Sequence, residues 1–468
     1  MTDEAVHISI TIKVEGVTKE IEEKVLATAM EESAHTLVLL VGREVFQGMI
    51  EALDERLAKK KPTGWRNIGT EKRRMVSSLG IMEYKRRVYQ DEQGRRVKPV
   101  DEWVGLKRYA RMSGRVQEMG ASLVSSGTYR LAARQLSYMT RTPISHSAMQ
   151  RMAWTVGNRI ADSEEAERRR IFEEGGADEP GKISAPVLYG ESDGVWVHLQ
   201  REKRKSTEVR VAILSTGRKA VGKDRYRLEN KHCLTAIGLD AQAWQEQILR
   251  EAHRHYNLED TRLLVCGGDG NQWVRHSFDR LQIDQEFILD RFHLLRAARR
   301  AIPDRKAAKA MVTRLRQGGF ESARLDLKQQ IQQATGQQRE KLEDFYQYVY
   351  HNRDGLLDLQ YRGVSVLPCL GAIEGNVDKL VVHRMKGRGC SWRLRGLRAM
   401  LAICRNADLL RCHAYHYRPL ECSPQPKRSI RRLQVEYAEA IQCSMPVFKG
   451  PHQNRPWAIA LHKAIYGR

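Results

Sequence analysis

The 468-residue sequence has no run near the roughly 18 consecutive apolar residues of a membrane-spanning helix; its best stretch is Thr36 to Val41. Its opening, MTDEAVHISITIK, carries early acids and lacks the apolar centre of a signal peptide, so a soluble, cytoplasmic protein with no membrane partner is expected. The eight cysteines never fall in a C-x-x-C spacing, which argues against a zinc ribbon or a disulfide framework. Cys404, Cys412, His413 and His416 have only a loose metal-site spacing, and scattered structural cysteines are the simpler reading. No G-x-x-x-x-G-K-[ST] loop is present, so ATP-driven work lacks its phosphate cradle and no nucleotide cofactor is expected. H-E-x-x-H is also missing, and Gly267-Gly268-Asp269-Gly270 is not a dinucleotide fingerprint. Scarcer still is negative charge: 57 Asp and Glu against 80 Lys and Arg leave a formal net charge of +23 at pH 7. Such an excess costs self-repulsion unless a polyanion offsets it, and basic side chains that release counterions from phosphates supply most non-specific nucleic-acid affinity.

What is present is a change of periodicity along a chain long enough for two to four domains. Residues 1–62 are expected to be helical, since Ile21, Val25, Leu37, Val41, Val45, Met49 and Leu53 between Thr18 and Lys61 fall largely at three- and four-residue steps. Within 63–112, Gly80 to Val97 alternates as a β-hairpin turning at Asp91 to Gly94. Its Lys85, Arg86, Arg87, Arg95 and Arg96 suit phosphate contact or a solvated strand face equally well. Residues 113–160 hold three helical patterns separated by turns at Ser125 to Gly127 and Thr140 to Pro143. Ser145 caps the third, with Met149, Met152, Ala153 and Val156 inward. That spacing suits a helix-turn-helix presenting His146, Ser147, Gln150 and Arg151 to a DNA groove; a plain three-helix bundle has the same stripe, and both stay open. A polar, acidic linker is expected over 161–184.

Beyond it the pattern is strands at Val187 to Gln200, Glu208 to Thr216 and His232 to Leu239, then a helix from Ala241 to Tyr256. Strands at Arg262 to Cys266 and Glu286 to Leu289 alternate with a short helix and a basic one starting near Phe292. This is an α/β sheet of mixed direction over 185–298, interrupted by a helical insertion over 299–365 and resumed over 366–420, with an extension over 421–468.

The chemistry is suggested by Asp193 in GESDGVWVHL, Asp269 in CGGDGNQW and Glu374 in GAIEGNV. Cleaving a phosphodiester calls for two divalent cations roughly 3.5–4 Å apart, and Mg²⁺ or Mn²⁺ prefers carboxylate oxygens. Each acid alone is more often a turn former; the glycine after each aspartate, Gly194 and Gly270, would let an anionic substrate approach the backbone. After Glu374 comes a basic run, Arg384, Lys386, Arg388, Arg393, Arg395 and Arg398 around Trp392, which suits a DNA backbone with one stacked base; a cationic outer helix face with Trp392 in the core is the other reading. His293, in Asp290-Arg291-Phe292-His293, is a further candidate, either beside a scissile phosphate or as a satisfied core residue.

The blocks YGESDGVWV, VCGGDGNQW, LDRFHLL and IEGNVDKLVVHRMKGRGCSW followed by GLRAM resemble the ISLre-type insertion-sequence transposases of the Mutator-like group. The likeness runs from the N-terminal hairpin to GPHQNRPW, and the Glu-Gly-Asn block is its most specific part. It implies a DDE enzyme whose RNase H-like fold holds Asp193, Asp269 and Glu374 around two magnesium ions, with His293 near the site. The implied protein binds the terminal inverted repeats of its element as a homo-oligomer, and cuts and joins double-stranded DNA in a bacterial-type cytoplasm. Relatives with an insertion often carry a Trp there that supports a flipped base; none lies between Phe292 and Glu374. A metal-dependent nuclease or resolvase, and a DNA-binding regulator without catalysis, are the alternatives.

Overall fold

The computed structural model describes residues 5–14, 17–26, 30–106, 110–176, 179–223, 225–364, 366 and 369–407. They fall in the first of two units, Met1–Arg411 and Cys412–Arg468. The expectations for Cys412, His413, His416 and residues 421–468 therefore lie outside the described residues.

The chain opens with an antiparallel pair, β1 (Ala5–Val14) and β2 (Val17–Leu26), before helix α1 (Met30–Lys59). The helix expected from Thr18 starts twelve residues later, because Ile21 and Val25, four apart, fit period two as well as 3.6. Next, β3 (Arg66–Ser77) pairs with β4 (Gly80–Gln90), and β4 with β5 (Arg96–Val97), followed by α2 (Pro99–Trp103). The expected turn at Asp91 to Gly94 is present, but the main partner of β4 is β3, across the turn at Gly80. The hairpin's bases are largely engaged: Arg86 lies buried against Asp101 at 3.1 Å, Arg87 meets Asp54 at 2.6 Å and Arg95 meets Asp91 at 2.7 Å.

Three helices follow, α3 (Gly114–Ser126), α4 (Tyr129–Thr140) and α5 (His146–Phe172). Ser113, Thr128 and Ser145 each cap one by accepting a backbone N–H. The expected linker is a correction: α5 continues to Phe172. Its acids are held in ion pairs, Glu165 with Arg168 and Arg169, while Arg168 reaches Glu246 at 2.8 Å.

After β6 (Ile183–Ser184), the central sheet is built from β7 (Val187–His198), β8 (Ser206–Ser215), β11 (His232–Ile237), β13 (Leu263–Gly268) and β14 (Asp284–Leu289). A side hairpin, β9 (Gly217–Gly222) with β10 (Arg225–Glu229), precedes β11. Helix α6 (Ala241–His255) and the short β12 (Tyr256–Asn257) precede β13, and α7 (Gln272–Arg275) follows it. The sheet order is β11-β8-β7-β13-β14, antiparallel among the first three and parallel from β7 through β13 to β14. The mixed α/β sheet is thus as expected. Trp244, Ile248 and Ala252 of α6 cover one face. The other carries Val195, Val197, Val209 and Val211, which share a core with Val116, Leu136 and Met149 of the three helices.

From β14 the chain enters α8 (Arg291–Ala301), then α9 (Arg305–Arg316), α10 (Phe320–Gln333) and α11 (Gly336–His351). These close on their own apolar core, with Leu294, Met311, Leu327 and Phe345, as the expected helical insertion requires. The chain then returns through α12 (Ile373–Val377), a π-helical segment Asp378–Lys386, and α13 (Leu394–Arg405). Among the described residues no helix is long and apolar enough to cross a membrane.

Candidate functional site

The site forms where β13 ends beside the middle of β7. Their parallel register sets Gly267 beside Glu191; counting two residues on along each strand places Asp269 at the level of Asp193. Adjacent strands lie about 4.8 Å apart, so both aspartates emerge together. Asp193 is held by the Gly194 N–H at 2.7 Å, and Asp269 accepts the Asn271 N–H at 3.0 Å. The glycines also have packing tasks. A Cβ on Gly194 would press on Glu208 and Trp273, while Gly270 takes φ +89°, and a side chain there would run into Asn352.

His293 and Glu374 complete the group. Asp290 caps α8 by accepting the His293 N–H at 2.9 Å, which fixes the Asp-x-x-His turn. The ring then reaches Glu374 Oε1 with Nε2 at 3.3 Å. Phe292 beside it is 53% exposed, so His293 is not a packed core residue of an aromatic cluster. Burial, reinforced by the charges of Asp269 and Glu374, lifts the Asp193 carboxyl from 3.8 to about 6, against the Gly194 hydrogen bond and His293. Asp193 thus feels the charges of the other three residues, although the four positions span 181 residues from 193 to 374. Among the described residues, however, no three His, Cys, Asp or Glu side chains stand close enough together to chelate a cation as they are.

Two features escaped the sequence reading. Glu191, two residues before Asp193 on the same face of β7, is only 4% exposed. Its carboxylate accepts the N–H groups of Gly371 at 2.7 Å, Ala372 at 3.0 Å and Ile373 at 3.3 Å, the residues leading into Glu374. Burial raises its pKa and the three N–H groups oppose that. The insertion also enters the site: the Tyr348 hydroxyl of α11 donates to the Asp269 carbonyl at 2.8 Å. Gly190 to Gly194 further spells G-x-S-x-G, the spacing of a hydrolase nucleophile turn. Ser192 is nevertheless fully buried in mid-strand, donating to the Val211 carbonyl and accepting from Ser277, so it is no nucleophile.

The expected DNA contacts divide. Ser147 and Gln150 are half-buried and Arg151 is exposed on the first turns of α5, although α5 packs along α13 instead of standing free. Lys386, Arg393 and Arg395 are exposed, and Arg398 pairs with Asp162 at 2.9 Å. The side chain of Arg388 lies outside those described. Trp392 follows the alternative reading that placed it in the core, and Arg384 departs from the open cationic face. They are 7% and 8% exposed, respectively; Arg384 donates to the Val124 carbonyl and the Trp392 indole to the Met385 carbonyl. Cys404 is buried beside the Ser125 carbonyl, apart from any described metal-binding group.

The profile of Uncharacterised protein family UPF0236 matches residues 20–410, which include every residue of this site. The chain belongs to that family. Two UPF0236 proteins of Caldanaerobacter subterraneus subsp. tengcongensis are each 24% identical to it over 368 residues, covering 78% of this chain and 74% of theirs. One is named TTE2489, and the name of the other joins eleven locus designations from TTE0033 to TTE2212. A third UPF0236 protein of the same organism, TTE1650/TTE2708, is 24% identical over 78% of this chain and 70% of its own length.

Proposed function

We propose that this UPF0236 chain is the transposase of an insertion sequence of the ISLre type, a DDE enzyme that binds element ends and cuts and joins DNA strands. The observation that carries the reading is that the Asp193 carboxyl feels the charges of Asp269 and Glu374, with His293 on Glu374, so the three acids face one region although they are not at chelating distance as they stand. The sheet supports an RNase H-like fold: five strands ordered third, second, first, fourth, fifth, with the second alone reversed. A relative whose name joins eleven loci fits a coding region that copies itself through a genome.

The donor set fits a hard divalent cation. Three carboxylates offer oxygen ligands, and the raised Asp193 pKa reflects burial and crowding that a cation would relieve. Asp193, Asp269 and Glu374 would hold two Mg²⁺ or Mn²⁺ ions, which supply nucleophile activation and charge neutralisation at the phosphate when bound. Glu374, at 46% exposure, has room to turn from His293 toward the aspartates. Released from Glu374, His293 is free to donate a hydrogen bond to a phosphate oxygen. Gln150, Arg151, Lys386 and Arg393 would hold the duplex, and two copies of the chain would bring two ends together.

The test is a cleavage and joining assay with labelled element-end DNA, a plasmid target and Mg²⁺. Asp193→Asn, Asp269→Asn and Glu374→Gln each lower cleavage by about a hundredfold to a thousandfold or more while end binding stays near the unmodified level. Normal cutting by any one of them removes that residue from the site. Cutting without joining points to a nuclease, and intact end binding with no cutting under any metal points to a regulator.

A further inference from the structure

Arg384 is a buried cation with no counter-charge among the described residues. Its guanidinium lies 5.1 Å from the ring centres of both Tyr129 and Trp392, Nε donates to the Val124 carbonyl at 2.8 Å, and Nη2 is buried without a hydrogen-bond partner. A desolvated charge is costly when left uncompensated. Arg384 faces a cavity of about 520 Å³ between the start of α4, α5 and the turn before α13, and among the described residues no Asp or Glu lines it. The volume is in the range of small-ligand sites, about 300–1,000 Å³.

The other walls set the chemistry a ligand here would need. Trp154 of α5 adds a third aromatic ring, Gln150 adds an amide, and Arg201 and Arg393 stand exposed at the rim. Cations call for an anion, rings for a flat partner, and an amide for a heteroatom edge. We propose that this cavity is a nucleotide pocket, with the phosphate at Arg384 and the base against Trp154. The nucleotide comes either from an unstacked position in a DNA strand or as a free mononucleotide. The pocket uses none of the three acids and stands even if those acids bind no metal. It would also give a strand leaving the first turns of α5 a fixed point on the core, although the insertion has no Trp of its own.

Fluorescence of 2-aminopurine tests this with the full chain. One probe is a short single-stranded oligonucleotide with 2-aminopurine flanked on both sides by abasic positions, so that it starts unstacked and bright; the other is the 2-aminopurine deoxyribonucleotide 5′-monophosphate alone. Stacking in the pocket quenches the signal, and Gln150→Ala, Trp154→Leu and Arg393→Ala each weaken the quench-reported affinity about five- to tenfold or more. Arg384→Gln weakens it further, with circular dichroism checking that this buried change has not unfolded the chain. Quenching by the strand alone assigns the pocket to extruded DNA, and equal quenching by both probes assigns it to a mononucleotide. No quenching from either probe, or quenching unchanged in Gln150→Ala, Trp154→Leu and Arg393→Ala, overturns the proposal. Asp193→Asn quenches like the unmodified chain, so failure of the metal-site reading and failure of the pocket give different results.

Discussion

Glu191 couples two of the three proposed metal ligands through the backbone. It shares a strand face with Asp193, two residues away, and its carboxylate gathers the three N–H groups that start the turn into Glu374. Each oxygen of a carboxylate accepts, whereas an amide must turn an NH₂ toward those N–H groups. Glu191→Gln is therefore expected to lower Mn²⁺ affinity about 10–100-fold, as loss of a ligand-orienting partner does, with end binding unchanged. Calorimetric titration with Mn²⁺ on folded protein reads this; a variant that melts earlier but binds Mn²⁺ normally would make Glu191 a purely structural residue. Asp193, Asp269 and Glu374 stood out in the sequence as a set, because each sits in a short block of glycines and apolar residues. No such signal marked Glu191, whose partners lie 180 to 182 positions away and are backbone groups.

Helix α5 shows where periodicity misleads and what packing decides. Its acidic second half looks like a linker, yet Glu164, Glu165 and Glu167 meet Arg405, Arg168, Arg169 and Arg250 from three helices. A charged stretch with such partners is a buttress, and no local pattern reveals them. Gly157 allows the crossing, because a Cβ there would run into the Ala399 backbone of α13. Gly157→Ala should cost about 1–3 kcal/mol by overpacking, although alanine favours an isolated helix. Urea unfolding measures it, and an unchanged or raised midpoint would mean the helices part easily. On β11, His232 stacks on His255 with ring centres 3.4 Å apart. Burial first, then the charges of His255 and Arg254, depress the His232 pKa from 6.5 to about 4, against the pull of Glu251. A histidine with a depressed folded pKa contributes stability that is present above pH 6.5 and lost as pH falls toward 4. His232→Gln should therefore flatten the fall in the urea midpoint across that window, and an identical slope in both proteins would contradict the assignment.

At the scale of the molecule, the positive charge and the mixed sheet were readable in advance, and the joining of parts was not. Period changes and turn residues marked the five strands of the central sheet, β7, β8, β11, β13 and β14, but not the side hairpin of β9 and β10 or the two-residue β12. That α3 to α5 share one apolar core with the sheet follows from contacts that no window of sequence contains. The same holds for the insertion, which is more than a spacer between Asp269 and Glu374: Tyr348 and Asn352 bring it onto the loop after β13. The account rests on the acids holding cations in common. Anomalous diffraction at the manganese edge, from crystals of the chain with element-end DNA and Mn²⁺, tests that most directly. The account predicts manganese peaks bounded by Asp193, Asp269 and Glu374, with Glu374 turned away from His293. A well-ordered site without manganese, and Glu374 still on His293, would contradict it.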